Sequence, residues 1–82
     1  MMIDRVALSP SETVLLDTTN NTVTIVLLAS GNISIRDNKD RVYAYLQRQY
    51  EMYTLAINTG IYSAANEGTD SVNILIVREF IY

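Results

Sequence analysis

Short runs of valine, isoleucine, threonine and tyrosine, each stopped by a cluster of Asn, Asp, Ser, Gly or Pro, make up most of this 82-residue chain. Branched and planar side chains lose little when held on a pleated surface, whereas they crowd the preceding turn of a helix. The chain is therefore expected to be all-β, a small antiparallel β-sandwich or β-barrel forming a single domain over residues 1–82.

The runs can be placed one by one. Ile3 to Leu8 is a first strand, ended by Ser9-Pro10-Ser11 because proline removes a ladder donor and restricts its predecessor. Thr13 to Leu16 follows, and Asp17 to Asn21 is a turn whose short polar side chains bond back to their own backbone. In Thr22 to Ala29, Val23, Ile25 and Leu27 share one face, while the other begins with Thr22 and Thr24 and ends with Val26 and Leu28. Ile33 to Arg36 and Arg41 to Gln47 flank the polar Asp37-Asn38-Lys39-Asp40 and read as a hairpin. In the second arm Val42, Ala44 and Leu46 are expected to pack, and Tyr43, Tyr45 and Gln47 to lie on the displayed face. Further strands are expected over Tyr50 to Ile57, Ile61 to Ala64 and Val72 to Tyr82. The last has Ile74 and Ile76 on one face and Leu75 and Val77 on the other, so it needs a central place or a neighbouring subunit to cover both.

One segment supports a second reading. Val42, Tyr45, Leu46, Gln49, Tyr53, Ala56 and Ile57 also fall near one face at a 3.6-residue period, with Asn38 able to cap the start and Gly60 just past the end. A helix at about residues 39–57 would make the fold a small α+β domain. The strand-favouring residues Val42, Thr54, Ile57 and four tyrosines weigh against it.

Composition limits the chemistry. There is no histidine, cysteine or tryptophan, yet there are six tyrosines, five of them between Tyr43 and Tyr62. Without imidazole or thiolate, the usual general bases, activated nucleophiles and transition-metal ligands are missing. No P-loop, dinucleotide fingerprint or G-x-S-x-G motif surrounds the few glycines. Glu51 and Glu79 could form a carboxylate pair across adjacent strands, the one route to a hydrolase. Asp37, Asn38 and Asp40, and Glu67, Thr69 and Asp70, offer hard oxygen ligands, but outside the EF-hand order, and turn formation accounts for the same residues. The expectation is no enzyme activity, no cofactor and no metal site.

Six basic against nine acidic side chains give a formal charge of -3, which weighs against nucleic acid and anionic membranes. No apolar run approaches the roughly 20 residues of a spanning helix. Met1 to Leu8 has acidic Asp4 beside Arg5 and no h-region, so no signal peptide is recognised, and Asn20-Asn21-Thr22 and Asn32-Ile33-Ser34 read as turns rather than glycosylation sites. The expected product is soluble and cytoplasmic on synthesis, with a virion as its candidate destination.

Tyr43, Tyr45, Tyr50 and Tyr53, with Arg36, Lys39, Arg41 and Arg48 nearby, are the one group with binding chemistry. Tyrosine and arginine bury large, stiff surfaces and keep polar tips for rim bonds, so the group describes a protein interface. A small core with no disulfide or metal to reinforce it gains from partner chains. The sequence therefore predicts a non-enzymatic structural protein that forms a homo-oligomer, with Arg41, Tyr43, Tyr45, Tyr50, Tyr53, Ile74, Phe80 and Tyr82 at the interface. The setting expected is a larger viral protein shell, as a phage capsid decoration, cement or tail accessory protein whose weak contacts add up through multivalency. Compactness and lack of cysteine suggest that setting; no motif does. The alternative is a carbohydrate- or single-stranded nucleic-acid-binding module that stacks ligands on the tyrosines.

Overall fold

A computed structural model describes residues 1–80 as eight antiparallel strands: β1 (Met2–Leu8), β2 (Thr13–Asp17), β3 (Asn21–Leu27), β4 (Ile33–Asp37), β5 (Val42–Leu46), β6 (Met52–Leu55), β7 (Ile61–Asn66) and β8 (Val72–Phe80). They form two four-stranded sheets packed as a sandwich, sheet A in the order β1-β8-β3-β6 and sheet B in the order β2-β7-β4-β5. Only β4 and β5 are consecutive in both chain and sheet; every other connection crosses between sheets. The chain is in effect one long hairpin with its tip at the β4–β5 turn, pairing β4 with β5, β3 with β6, β2 with β7 and β1 with β8, and rolled up so that successive pairs alternate between sheets. That order is a jelly roll.

The alternating pattern explains the core. Val23, Ile25 and Leu27 of β3 and Val72, Ile74 and Ile76 of β8 point inward from sheet A, and meet Leu16, Ile33, Ile35 and Leu46 from sheet B. β8 is hydrogen-bonded on both edges, by β1 and β3, and sheet B covers one of its two apolar faces. The other, carrying Leu75 and Val77, looks outward and is half-exposed.

Residues 39–57 hold no helix. β5 and β6 lie in different sheets, and the turn between them places Tyr50 in the left-handed region, at φ 66°. The helical period loses because the backbone groups of Val42–Leu46 pair with β4, and those of Met52–Leu55 with β3. Among the described residues no helix is long and apolar enough to cross a membrane.

Two buried polar side chains tie the crossings together. Asn66 Nδ2 donates to the Leu8 carbonyl at 3.0 Å and the Asp70 carbonyl at 2.8 Å, while its Oδ1 accepts from the Gly68 N–H at 2.9 Å. Thr18 Oγ1 donates to the Gly60 carbonyl at 2.6 Å and accepts from the N–H groups of Gly60 and Thr59 at 3.0 and 3.1 Å. Among the described residues no buried side-chain nitrogen or oxygen lacks a partner. These loops are thus held by complete hydrogen-bond sets rather than by apolar contact.

Candidate functional site

The outer face of sheet A is aliphatic. Register places Ile3, Val77, Thr24 and Thr54 side by side in one cross-strand row, and Arg5, Leu75, Val26 and Met52 in the next. Ile3 is 59% exposed and Met52 61%, while Val26, Leu75 and Val77 between them are half-exposed. The two threonines bond to each other, Oγ1 to Oγ1, at 2.9 Å. None of these eight residues is acidic, and charge appears only at the rim, as Arg5 and, one row beyond Val77, Glu79 opposite Thr22. Aliphatic side chains that adjoin across four strands form a contiguous patch, unlike apolar residues scattered singly over a surface.

The outer face of sheet B is polar and hollowed. Ser63 and Ala65 of β7 are small and lie opposite Arg36 and Ser34 of β4, which leaves a depression of about 440 Å³ bordered by Ser11, Thr13, Asp40 and Glu67. Arg36 donates through Nε to Ser34 Oγ at 3.2 Å, through Nη1 to Asp40 Oδ1 at 3.3 Å and through Nη2 to Glu67 Oε1 at 3.3 Å. Ser34, itself fully buried, donates to the same Glu67 oxygen at 2.8 Å. Desolvation opposes the charge on Arg36, but Asp40 and Glu67 outweigh it and raise the guanidinium pKa above its ordinary value, with Tyr45 acting in the same sense. Tyr45 pairs with Ser34 from the far side, and 48% of it is exposed.

The residues expected to share an interface do not form one patch. Tyr45 stands on the outer face of sheet B, but Tyr43 does not share that face. The β4–β5 register shifts between Ile35 and Arg36, so that Ala44 faces Ile35 and Val42 faces Arg36. Tyr43 is the extra residue; its ring meets that of core residue Tyr62 edge-on at 5.4 Å, while 46% of the residue's surface stays exposed. A bulge places successive side chains on one side, which simple alternation does not foresee. Arg41, at the same edge, donates to Asp37 Oδ2 at 2.8 Å. Tyr50 is exposed in the turn between β5 and β6, Tyr53 is packed against the core, and Phe80 is exposed at the end of β8. Ile74 has no exposed surface and cannot contact a second chain; it lies on the inner face of the central strand, and its neighbour Leu75 is the outward one. Tyr82 lies outside the described residues.

Two further groupings dissolve. The Glu51 backbone lies beside Leu27 and Glu79 is paired with Thr22, five residues away along β3, or roughly 16 Å at a strand's rise. That exceeds the separation carboxylate pairs use in glycoside hydrolysis. Instead Glu51 Oε1 accepts from the N–H groups of Gln47 and Arg48, and these backbone bonds hold its pKa below the usual range. Asp37 accepts from the N–H groups of Arg41 and Lys39 and from the Arg41 guanidinium, and its pKa is lowered for the same reason. Among the described residues no three His, Cys, Asp or Glu side chains are grouped to hold a metal ion.

Sequence reading marked the Leu75 and Val77 face of β8 as one that needs cover, but did not join Ile3 of β1, Val26 of β3 and Met52 of β6 to it, and did not foresee Ser34, Arg36 and Glu67 as a network. The hint of the network was the clean alternation of Ile33 to Arg36. No protein-family model matches this chain, and no curated protein matches it.

Proposed function

We propose that this chain is a non-enzymatic structural protein that assembles with copies of itself, docking through the outer face of sheet A. The observation that carries the reading is the uninterrupted aliphatic surface of Ile3, Val26, Met52, Leu75 and Val77. Apolar area left in water costs about 25 cal/mol per Å², and a single small domain has little stability to spare. A second copy is the occupant favoured, because the patch centre is neutral and its rim carries both signs, Arg5 and Glu79, so that like surfaces can meet without forced like-charge contact.

A virion is the setting that suits such a protein, as a decoration, cement or tail accessory subunit made in the cytoplasm and added to a larger shell. The jelly roll recurs in capsid domains, an analogy of fold that by itself assigns no function. Arg41, Tyr50 and Phe80 are exposed and supply further contacts to such a shell.

Sedimentation equilibrium across the micromolar range is the direct test. The chain is expected to weigh a multiple of its monomer mass, and the variant carrying Ile3→Glu and Met52→Glu to weigh a monomer with an unchanged circular dichroism spectrum. Both positions are more than half exposed, so the substitutions spare the core. A parent chain that stays monomeric throughout the range, or a variant that associates as well as the parent, overturns the proposal. Co-purification of the chain with assembled particles tests the setting separately.

A further inference from the structure

We infer that the depression on the outer face of sheet B is a binding site for a neutral saccharide, seated on Arg36 and Glu67 with Tyr45 beside it. Its size falls within the roughly 300–1,000 Å³ of small-molecule sites. It exists because strand-centre positions that carry large side chains elsewhere are Ser63 and Ala65 here, so the sheet surface is locally thin.

The polar groups are oriented before any ligand arrives. A guanidinium carries five N–H donors, and three of them fix Arg36 to Ser34, Asp40 and Glu67. One N–H on each terminal nitrogen is left to donate. Glu67 Oε1 receives both Ser34 and Arg36, which leaves Oε2 to accept. Donors beside an acceptor, on side chains held by their own neighbours, match adjacent sugar hydroxyls, each of which both accepts and donates. The hydroxyls of Ser63 and Thr13 add partners from the floor and wall.

Charge decides between ligand classes. Arg36 contributes one positive charge, and Glu67 and Asp40 contribute two negative ones, within a chain of formal charge -3. The site is therefore net negative and its cation already paired, so a phosphate or a nucleic-acid backbone would meet repulsion with no free counter-charge. A neutral ligand avoids this penalty. Tyr45, 48% exposed, stands across β4 from the depression and outside its lining, so its ring meets only the part of a pyranose that overhangs Ser34.

This face is the reverse of the sandwich from the aliphatic one, so it remains open in an assembly built through sheet A, and the two proposals fail independently. The test is an amide-shift titration of the full chain with lactose, maltose, cellobiose and chitobiose, and with tripolyphosphate as the anionic control. At least one disaccharide is expected to shift the amides of Ser34, Ser63, Ala65 and Glu67 saturably, with a Kd of about 1 mM, as suits a shallow site. Glu67→Gln is expected to weaken that binding about tenfold. Ser63→Tyr fills the floor with a residue that strands accept, and is expected to abolish the shifts while the thermal melt is kept. Absence of shifts with all four sugars, shifts confined to another surface, undiminished binding by Ser63→Tyr, or preferential binding of tripolyphosphate in the depression each overturns the inference.

Discussion

Replacing Asn66 by alanine removes one side chain and releases three backbone groups. Asn66 ends β7 in sheet B, only 2% exposed, and its amide reaches Leu8 at the end of β1 in sheet A as well as both arms of the β7–β8 turn, through Gly68 and Asp70. Each bond contributes about 1 kcal/mol net, so Asn66→Ala is expected to cost about 3 kcal/mol, a large share of the stability of a domain this size. At a urea m-value of about 1 kcal/mol/M the midpoint should fall by about 3 M, read by circular dichroism. Asn66→Asp sharpens the test. It keeps the acceptor for the Gly68 N–H but turns the donor into an oxygen facing two carbonyls, which disfavours the charged form and raises the folded-state pKa above the unfolded value near 4. Its folded state then binds more protons than the unfolded one. The variant should be most stable below that unfolded value and lose stability as pH rises through the raised folded one. A loss under about 1 kcal/mol for Asn66→Ala, or an Asn66→Asp variant no better in acid than at neutrality relative to the parent, would refute the view that these three bonds hold the crossing.

Thr18→Val keeps the shape but strands the N–H groups of Thr59 and Gly60, and is expected to lower urea stability by about 2 kcal/mol, whereas Thr18→Ser should recover most of it. Gly31→Ala would set a Cβ 2.6 Å from Val72 Cγ1, so it is expected to cost about 1–3 kcal/mol, with part returned by adding Val72→Ala in a double-mutant cycle. The parent chain should weaken in acid. Backbone N–H bonds lower the folded-state pKa of Glu12, Asp17, Asp37 and Glu51. Their stabilisation is present above the unfolded values near 4 and disappears as pH falls through the lowered folded ones. Urea melts across that range should show the decline, and Asp37→Asn should flatten it.

The strands were legible along the chain because each is a local fact. Val23, Ile25 and Leu27 alternate with Thr22, Thr24 and Val26 whatever surrounds them, and Asp17 to Asn21 turns on its own side chains. A tyrosine's surroundings were not legible in the same way. Tyr43 left the face of Tyr45 because β4, a different strand, met β5 with a shifted register.

Alternation along the sequence determined which residues share a strand face, and hence that this chain makes sheets with an aliphatic interior. It could not say which face of β8 would be interior, since Ile74 and Ile76 are as apolar as Leu75 and Val77. Tertiary pairing decided that. It set Met52 in the same row as Leu75 and brought Arg36 to Glu67 across 31 residues of chain. Periodicity is a property of neighbours in sequence, whereas a surface or a site belongs to neighbours in space, and only the order and register of strands converts one into the other.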